Sequence, residues 1–185
     1  LSGDSKLIEI FKKGEDVHTA VAAEVFSVVP EQVTKNMRRQ AKVINFGILY
    51  GIGVNALRQA LAEGGTFVSR EDAQMYLDGY FARFPALAVY LEETKAAARS
   101  RGYTETLFGR RRYFEALNSA LPYIRAAAER QAINAPIQGT AADIIKIAMF
   151  AVDAFLEKEK SEKDVSLILQ VHDELVYEVK EERVK

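Results

Sequence analysis

The sequence predicts a mostly helical α+β protein. Apolar residues recur with helical spacing through most of the first half of the chain. Two later stretches, 103–114 and 166–180, have the aromatic, β-branched or alternating residues that are typical of β-hairpins. Between them, 125–159 is Ala-rich and has helical periodicity. We therefore expect a helical region followed by a smaller region that mixes a long helix with strands.

Caps and breaks delimit the predicted elements. Asp16 is placed to cap the second helix, and Ser69 with Asp72 resembles a capping box. Pro136 lacks an N–H group and would clash with the carbonyl of Ala132, so we expect a kink or a break there. The helical patterns before the first hairpin cover 4–13, 17–29, 31–50, 54–62, 71–81 and 85–100.

Composition excludes several classes of protein. The 185 residues include 25 Lys plus Arg and 26 Asp plus Glu, a net charge of −1, which excludes polybasic tails and acidic disordered chains but not nucleic-acid binding. Without Cys and with two His, the chain cannot form disulfides, thiolate zinc sites or multi-histidine centres. Any metal would be held mainly by carboxylates, as Mg²⁺ is.

The sequence shows neither a membrane span nor a signal peptide. Its best apolar run, 144–156, is too short and is interrupted by Lys146 and Asp153. The chain opens on Leu1 without an initiator Met and has no basic-then-apolar leader pattern. We expect a cytoplasmic protein with no membrane partner, represented here by a piece of a longer chain.

The 38–51 segment carries cations and rings on one helical face. Arg38, Lys42, Phe46 and Tyr50 recur every fourth residue, in the order cation, cation, ring, ring. A nucleoside triphosphate has the same layout, with anionic phosphates at one end and a flat base at the other. Gly47 suggests a close approach to the backbone beside Phe46. An ordinary amphipathic helix with two surface cations and two core rings would show the same spacing.

Two adjacent carboxylates lie in the second hairpin. Strict alternation along 167–179 places Asp173 on an otherwise apolar face, where an unpaired carboxylate is costly unless a cation is bound. Glu174 adds a second negative charge, so a bound divalent cation would both pair the Asp173 carboxylate and balance the added charge. The alternative is that His172, Asp173 and Glu174 simply form the polar tip of the hairpin.

A second series spaced by four lies on the helix that contains Pro136. Arg130, Asn134 and Gln138 all carry hydrogen-bond donors, which suit the acceptors that every base pair shows in the minor groove. A polar solvent-facing side of an Ala-rich helix would have the same pattern. A nearby run of arginines and tyrosines between 99 and 113 could meet phosphates.

Together these segments resemble family A DNA polymerases of the bacterial DNA polymerase I type. RRQAKVINFGILYG at 38–51 resembles motif B on the O helix of the fingers, and QVHDE at 170–174 resembles motif C of the palm. AERQAINAPIQGTAAD at 128–143 is similar to the palm segment between them. The resemblance implies fingers over 1–124, with an O-type helix at about 36–50, and a palm portion over 125–185 with a kinked helix and the hairpin.

The resemblance also implies residue roles. Catalysis would involve Asp173, Glu174 and Lys42, and the metal ligands would be Asp173 and Glu174. Residues implied to bind the incoming deoxynucleoside triphosphate are His18, Arg38, Lys42, Phe46 and Tyr50. Residues implied to hold primer-template DNA are Arg130, Asn134, Gln138 and His172. The activity implied is DNA-directed DNA synthesis for replication or repair, in which Mg²⁺ ions promote attack of a primer 3′-hydroxyl on the α-phosphorus.

The motif A strand with the other metal-binding Asp, the thumb and any exonuclease domains are not in the sequence. We therefore expect the remainder of a polymerase chain as a partner, no activity from these 185 residues alone, and a bacterial or phage-encoded, nucleoid-associated enzyme. A single-subunit RNA polymerase has related motifs, but it tends to have Tyr and Ser where Phe46 and Glu174 stand. A non-catalytic nucleic-acid-binding module is the other alternative.

Overall fold

A computed structural model describes residues 1–161 and 163–184 and is mostly helical, with two small antiparallel sheets. The α-helices are α1 (Ser5–Lys12), α2 (Val17–Val25), α3 (Lys35–Leu49), α4 (Val54–Glu63), α5 (Arg70–Arg83), α6 (Pro85–Arg101) and α7 (Pro122–Lys158). The strands are β1 (Tyr103–Glu105), β2 (Arg111–Tyr113), β3 (Val165–Val171) and β4 (Glu174–Val179). Short 3₁₀ turns occupy Pro30–Gln32, Glu115–Asn118 and Glu181–Arg183. The predicted α+β class, mostly helical, is confirmed.

The chain divides into two compact units, and the division falls within α7. The first unit comprises Leu1–Thr104 and Arg111–Ala135, and the second comprises Glu105–Arg110 and Pro136–Lys185. The expected division into fingers over 1–124 and palm over 125–185 is a functional one, and it stays a prediction.

The first unit is built on a helical core. Helix α2 packs against α3 and α5, and α4 packs against α3 and α5. Apolar side chains excluded from water on these helices give the packing its stability. The largest side chains buried to this extent in the unit are Val21, Ile44, Ile48, Leu57, Leu61, Phe84 and Ile133. The last of these comes from α7, so the beginning of that helix belongs to the same core.

The caps of this unit follow the sequence closely. The Asp16 carboxylate accepts a hydrogen bond from the Thr19 N–H at 2.7 Å, which confirms the predicted cap of α2. Ser69 and Asp72 cap α5 reciprocally, as predicted. Helix α3 starts later than predicted because Thr34 caps it, after a 3₁₀ turn at Pro30–Gln32. The residues of the cationic face nevertheless lie within α3 or at its C-cap.

The first hairpin also forms, with β1 paired to β2. Its turn belongs to the second unit, where hydrogen bonds from Arg110 connect it to α7. Arg110 Nε donates to Asp143 Oδ1 at 2.7 Å, and its Nη2 donates to the Gly139 carbonyl at 3.0 Å. A Cβ on Gly139 would come within 2.6 Å of Thr106 Cγ2, so only glycine allows this approach.

Helix α7 passes through Pro136 without interruption. Of the two outcomes expected there, a kink or a break, the break is therefore not observed. Pro136 removes one backbone hydrogen bond, but the helical residues on both sides keep theirs, and the helix continues for 37 residues. Asn134 and Gln138 consequently lie on one continuous helix.

The second hairpin, β3–β4, differs in register from the strict alternation expected. Leu167 pairs with Tyr177 but Leu169 pairs with Val176, so Ile168 forms a one-residue bulge. The bulge places Leu167 and Leu169 on opposite faces of the sheet, because facing partners share a face. The single apolar face predicted along 167–179 is therefore wrong.

No helix within residues 1–161 and 163–184 combines the length and hydropathy that a bilayer crossing requires.

Candidate functional site

The cationic face of α3 is open to solvent. Arg38, Lys42, Phe46 and Tyr50, which we call the α3 row, are all exposed, whereas Ile44 on the other side of the helix is fully buried. Phe46 and Tyr50 keep 44% and 47% of their surface exposed. These rings are therefore not core rings, so the part of the amphipathic-helix alternative that buried them in the core is wrong. A flat ligand group could stack on them.

Arg38 has an anionic partner that the sequence did not predict. Its Nε and Nη2 donate to the two carboxylate oxygens of Asp16 at 3.1 Å and 2.6 Å. The Arg38 guanidinium holds the pKa of the Asp16 carboxyl well below its usual range, and the Thr19 N–H acts in the same direction. Arg38 and Lys42 are like charges one turn apart, and Asp16 supplies the counter-charge for the first of them.

His18 joins the same site from the start of α2. Its Nδ1 lies 2.9 Å from Asn45 Nδ2, and its ring centroid lies 5.7 Å from that of Phe46. Burial lowers the pKa of His18, Asp16 opposes this shift, and Arg38 and Lys42 reinforce it. The site therefore holds a half-buried ring that favours the neutral form.

Lys42 completes this arrangement. Its Nζ lies 5.8 Å from the centroid of Phe46, within the range of a cation–π contact. The structure thus brings His18, Arg38, Lys42 and Phe46 together in the first unit. One end of the arrangement can take an anion, and the other end presents an aromatic face.

Gly47 has a different role from the one expected. A Cβ on Gly47 would lie 2.8 Å from Ile52 Cγ2, so the group that comes close to this backbone is a residue of the chain itself. The expectation that Gly47 makes room for a ligand is replaced by a packing requirement. The turn after α3 folds Ile52 back onto the helix, where the Ile52 N–H donates to the Gly47 carbonyl at 2.8 Å.

The first part of α7 packs against the end of α3. Gly51 has a φ of +69°, and a Cβ there would lie 2.7 Å from Ile133 Cδ1 and 3.0 Å from Arg130 Cγ. Arg130 is exposed and Asn134 is half-buried. The structure therefore places Arg130 beside the C-terminus of α3. Gln138 belongs to the second unit.

The tip of the second hairpin carries the remaining candidates. His172 and Asp173 form the turn between β3 and β4, and His172 has a φ of +52°. Gln170 Nε2 donates to the His172 carbonyl at 2.6 Å and so braces the turn. His172, Asp173 and Glu174 are all exposed. Asp173 is therefore not buried on an apolar face, and the desolvation argument for a bound cation does not apply to it.

No cluster of three or more acidic or histidine side chains able to hold a metal occurs in the part of the chain that the structure describes. Asp173 and Glu174 are adjacent carboxylates at a turn, and their exposed oxygens are of the type that Mg²⁺ takes. The donor set fits Mg²⁺ in kind, but it is at most part of a complete set of ligands.

The arginine-rich stretch near the first hairpin is largely engaged with the protein. Arg99 donates to Glu129 at 2.7 Å, and Arg110 is bound to Asp143. The Arg111 guanidinium lies 4.6 Å from the Tyr103 ring centroid. These contacts give several of the arginines structural roles.

Comparison with known proteins decides the family. The model of DNA polymerase family A matches residues 1–185, which is the whole chain. The chain belongs to DNA polymerase family A. A DNA polymerase I of Pseudomonas aeruginosa is 50% identical over 185 residues, which are 100% of this chain and 20% of that protein. The thermostable DNA polymerase I of Thermus aquaticus is 46% identical, over 100% of this chain and 21% of its own length.

A solved family A structure has the same fold. The POL domain of Pol1 from M. smegmatis, in complex with DNA primer-template and dNTP, matches with a TM-score of 0.90 and 45% identity. The match covers 98% of this chain and 31% of that chain. The chain spans about a fifth of the length of the curated family A relatives given above.

Two residues of the arrangement formed by α2 and α3 were not among the sequence candidates. Asp16 was predicted only as a helix cap, and Asn45 was not singled out at all. Both residues connect α2 with α3. Asp16, the cap of α2, binds Arg38 of α3, and Asn45 of α3 contacts His18 of α2. Residue spacing along α3 could not reveal them, because their partners lie 22 and 27 positions away.

Proposed function

We propose that the chain supplies the nucleotide-binding helix and part of the catalytic centre of a template-directed DNA polymerase. The reaction adds a deoxynucleotide to a primer: the 3′-oxygen bonds to the α-phosphorus, and the bond from that phosphorus to the pyrophosphate oxygen breaks. Membership of family A supports the reaction class. The observation that carries the proposal is the exposed α3 row with His18 beside it.

The first unit would bind the deoxynucleoside triphosphate. Lys42 offers a mobile point charge to phosphate oxygens, and Arg38 offers the guanidinium N–H groups that its contact with Asp16 does not use. Phe46 gives the sugar and base an apolar surface, and Tyr50 occupies the next turn of the same face. Lys42 would also donate a proton to the departing pyrophosphate, because its ammonium group is a proton donor.

The hairpin tip would hold metal through Asp173, with Glu174 as a nearby second carboxylate. Bound Mg²⁺ would neutralise phosphate charge and favour the deprotonated primer hydroxyl. The two exposed carboxylates suit this ion in charge and donor type. The other metal-binding Asp, which the family resemblance places on the motif A strand, would come from the rest of the polymerase.

DNA would be held by donors on α7 and at the hairpin tip. Arg130, Asn134 and Gln138 can donate to minor-groove acceptors, which occur at every base pair and so allow binding to any sequence. His172 at the tip would contact the primer terminus. Support comes from the position of Arg130 beside Gly51, at the end of the proposed nucleotide helix. We also propose that the enzyme works on bacterial DNA in the cytoplasm, in replication or repair.

Substitution of Lys42 tests the proposal in the full-length polymerase that contains this sequence. We expect Lys42→Ala to lower the rate of single-nucleotide incorporation by roughly a hundredfold, because one charge on the reacting phosphates is lost. Primer-template affinity should change less than about threefold, since Lys42 does not face the duplex in this proposal. Lys12→Ala, the same change at an exposed position of α1, serves as the control and should alter neither quantity.

Equal losses of incorporation and duplex affinity in Lys42→Ala would instead favour a nucleic-acid-binding module. Efficient incorporation of ribonucleotides by the unaltered enzyme would favour a single-subunit RNA polymerase.

A further inference from the structure

His18 is held by a buried amide. Asn45 lies on α3 between Ile44 and Phe46, and only 5% of its surface is exposed. Its Nδ2 is 2.9 Å from His18 Nδ1, on the neighbouring helix α2. Burying an amide costs free energy unless it is hydrogen-bonded, so this contact contributes to how α2 and α3 pack.

The end of the Asn45 amide that faces His18 sets the direction of this hydrogen bond, and in the structure that end is the nitrogen, Nδ2. An amide nitrogen has two hydrogens to donate and no lone pair available to accept. His18 Nδ1 must therefore be the acceptor, which means that it carries no hydrogen. A neutral imidazole has one N–H group, so the proton lies on Nε2. The nitrogen left to donate to a ligand is Nε2.

The charges around His18 agree with a neutral ring. Asp16 lies two residues before it at the start of α2, and Arg38 and Lys42 face it from α3. Burial lowers the pKa of His18, the two cations lower it further, and Asp16 acts against them. The geometry favours the same state, because the amide hydrogen of Asn45 would meet a second hydrogen if Nδ1 became protonated.

We propose that Asn45 is a positioning residue that keeps the His18 proton on Nε2, so that the neutral ring donates a hydrogen bond to a triphosphate oxygen. The inference rests on the proposed nucleotide site and adds a residue that does not itself touch the nucleotide. A neutral donor at this half-buried position can bind an anion without the desolvation cost of a charged ring there.

The tautomer can be measured without nucleotide, by ¹⁵N NMR of histidine-labelled full-length polymerase. The signals of His18 are identified as those lost in His18→Gln. We expect an N–H-type shift for Nε2 and an unprotonated shift for Nδ1. In Asn45→Ala both nitrogens should move towards averaged values, because the two tautomers then exchange. Asn45→Asp should reverse the pattern, since a carboxylate accepts from Nδ1–H.

Gln40→Ala is the matched control. Gln40 is the other buried amide of α3, and it lies about 140° around the helix from Asn45, at roughly 100° per residue. The His18 shifts should be unchanged in this variant. A protonated Nδ1 in the unaltered protein, or identical His18 shifts in Asn45→Ala and the unaltered protein, would overturn the inference.

Titration with dATP then separates this inference from the proposed function. We expect dATP to shift the His18 Nε2 signal and to bind Asn45→Ala roughly three- to tenfold more weakly than the unaltered protein, the effect of one neutral hydrogen bond. Equal dATP affinity in both proteins, with the tautomer altered, would overturn the link to nucleotide binding. Failure of every protein to bind dATP would overturn the proposed function itself, whatever the tautomer.

Discussion

The α2–α3 site and the β3–β4 tip differ in how their polar groups are held. In the first, Arg38 is bound by Asp16 and His18 by Asn45, so contacts between two helices set the side-chain positions. In the second, Asp173 lies in a two-residue turn, Glu174 begins β4, and both are exposed. The side chains of the helix site are therefore positioned by the protein before any ligand binds, whereas the carboxylates at the tip would be positioned by the metal ion that they bind.

This difference follows from what each region is proposed to recognise. A triphosphate has a fixed pattern of charge and ring, and a preformed arrangement lowers the entropic cost of binding it. Mg²⁺ is bound through one or two carboxylates together with water and substrate phosphates, so exposed carboxylates at a turn leave room for those other ligands. The comparison predicts a large catalytic effect with little loss of stability at the tip, and a large loss of stability where the helices of the first unit pack closely.

Loss of a carboxylate at the tip should have the largest effect. We expect Asp173→Asn to lower nucleotide incorporation by the full-length polymerase by roughly a thousandfold, because a metal ligand and its charge are lost. Stability should change by less than about 0.5 kcal/mol, since the side chain is exposed. Single-turnover kinetics and urea unfolding measure the two quantities.

Glu178→Gln is the control for that variant, because it is the same kind of change at an exposed position of β4. It should leave both quantities unchanged. Near-normal incorporation by Asp173→Asn would remove the tip from the catalytic centre and leave His172, Asp173 and Glu174 as the ordinary polar end of a hairpin.

Local sequence patterns account for much of the helix site. The interval of four residues placed the α3 row on one face, and the caps at Asp16 and Ser69 followed from residue type alone. The sequence could not show which way α2 packs on α3. The contacts of Asp16 with Arg38 and of Asn45 with His18 therefore had to be observed in the structure.

The sequence predicted the second hairpin as an element, but it did not predict correctly which side chains share a face of the sheet. Counting alternate residues assumes perfect pairing, and the bulge at Ile168 reverses the faces between Leu167 and Leu169. Nothing in the local sequence marks this bulge, because Ile168 has the same β-branched character as a paired strand residue. Pro136 shows a similar limit, since the continuity of a long helix outweighed one missing hydrogen bond.

The packing that supports the helix site can be broken at one glycine. We expect Gly51→Ala to lower the free energy of unfolding by about 2–4 kcal/mol, because it combines a left-handed φ of +69° with a Cβ only 2.7 Å from Ile133. Gly53→Ala is the matched control: Gly53 has a φ of −92° and open space around it. Urea unfolding of both variants measures the difference. Equal stability of the two would show that α7 does not pack against the end of α3 as described.

The ion pair between Asp16 and Arg38 should give the smallest effect, and one that depends on pH. Asn caps helices as well as Asp does, so Asp16→Asn removes the charge and keeps the cap. The side chains are 42% and 46% exposed, and we therefore expect a loss below about 1 kcal/mol at neutral pH. The pKa of Asp16 is held below its unfolded value, so the contribution is complete above about pH 4 and disappears as the pH falls further.

Urea unfolding at pH 7 and at about pH 3 checks this sign, with Arg38→Gln as the companion variant. Either substitution should flatten the same part of the pH–stability curve. The double variant should flatten it no further, because the two substitutions remove the same interaction. The contact does not hold Arg38 if the stability losses of the two variants simply add. The same follows if the stability difference between a variant and the unaltered protein grows as the pH falls. The α2–α3 site would then be as open as the hairpin tip, and its side chains would be ordered by the nucleotide rather than before it.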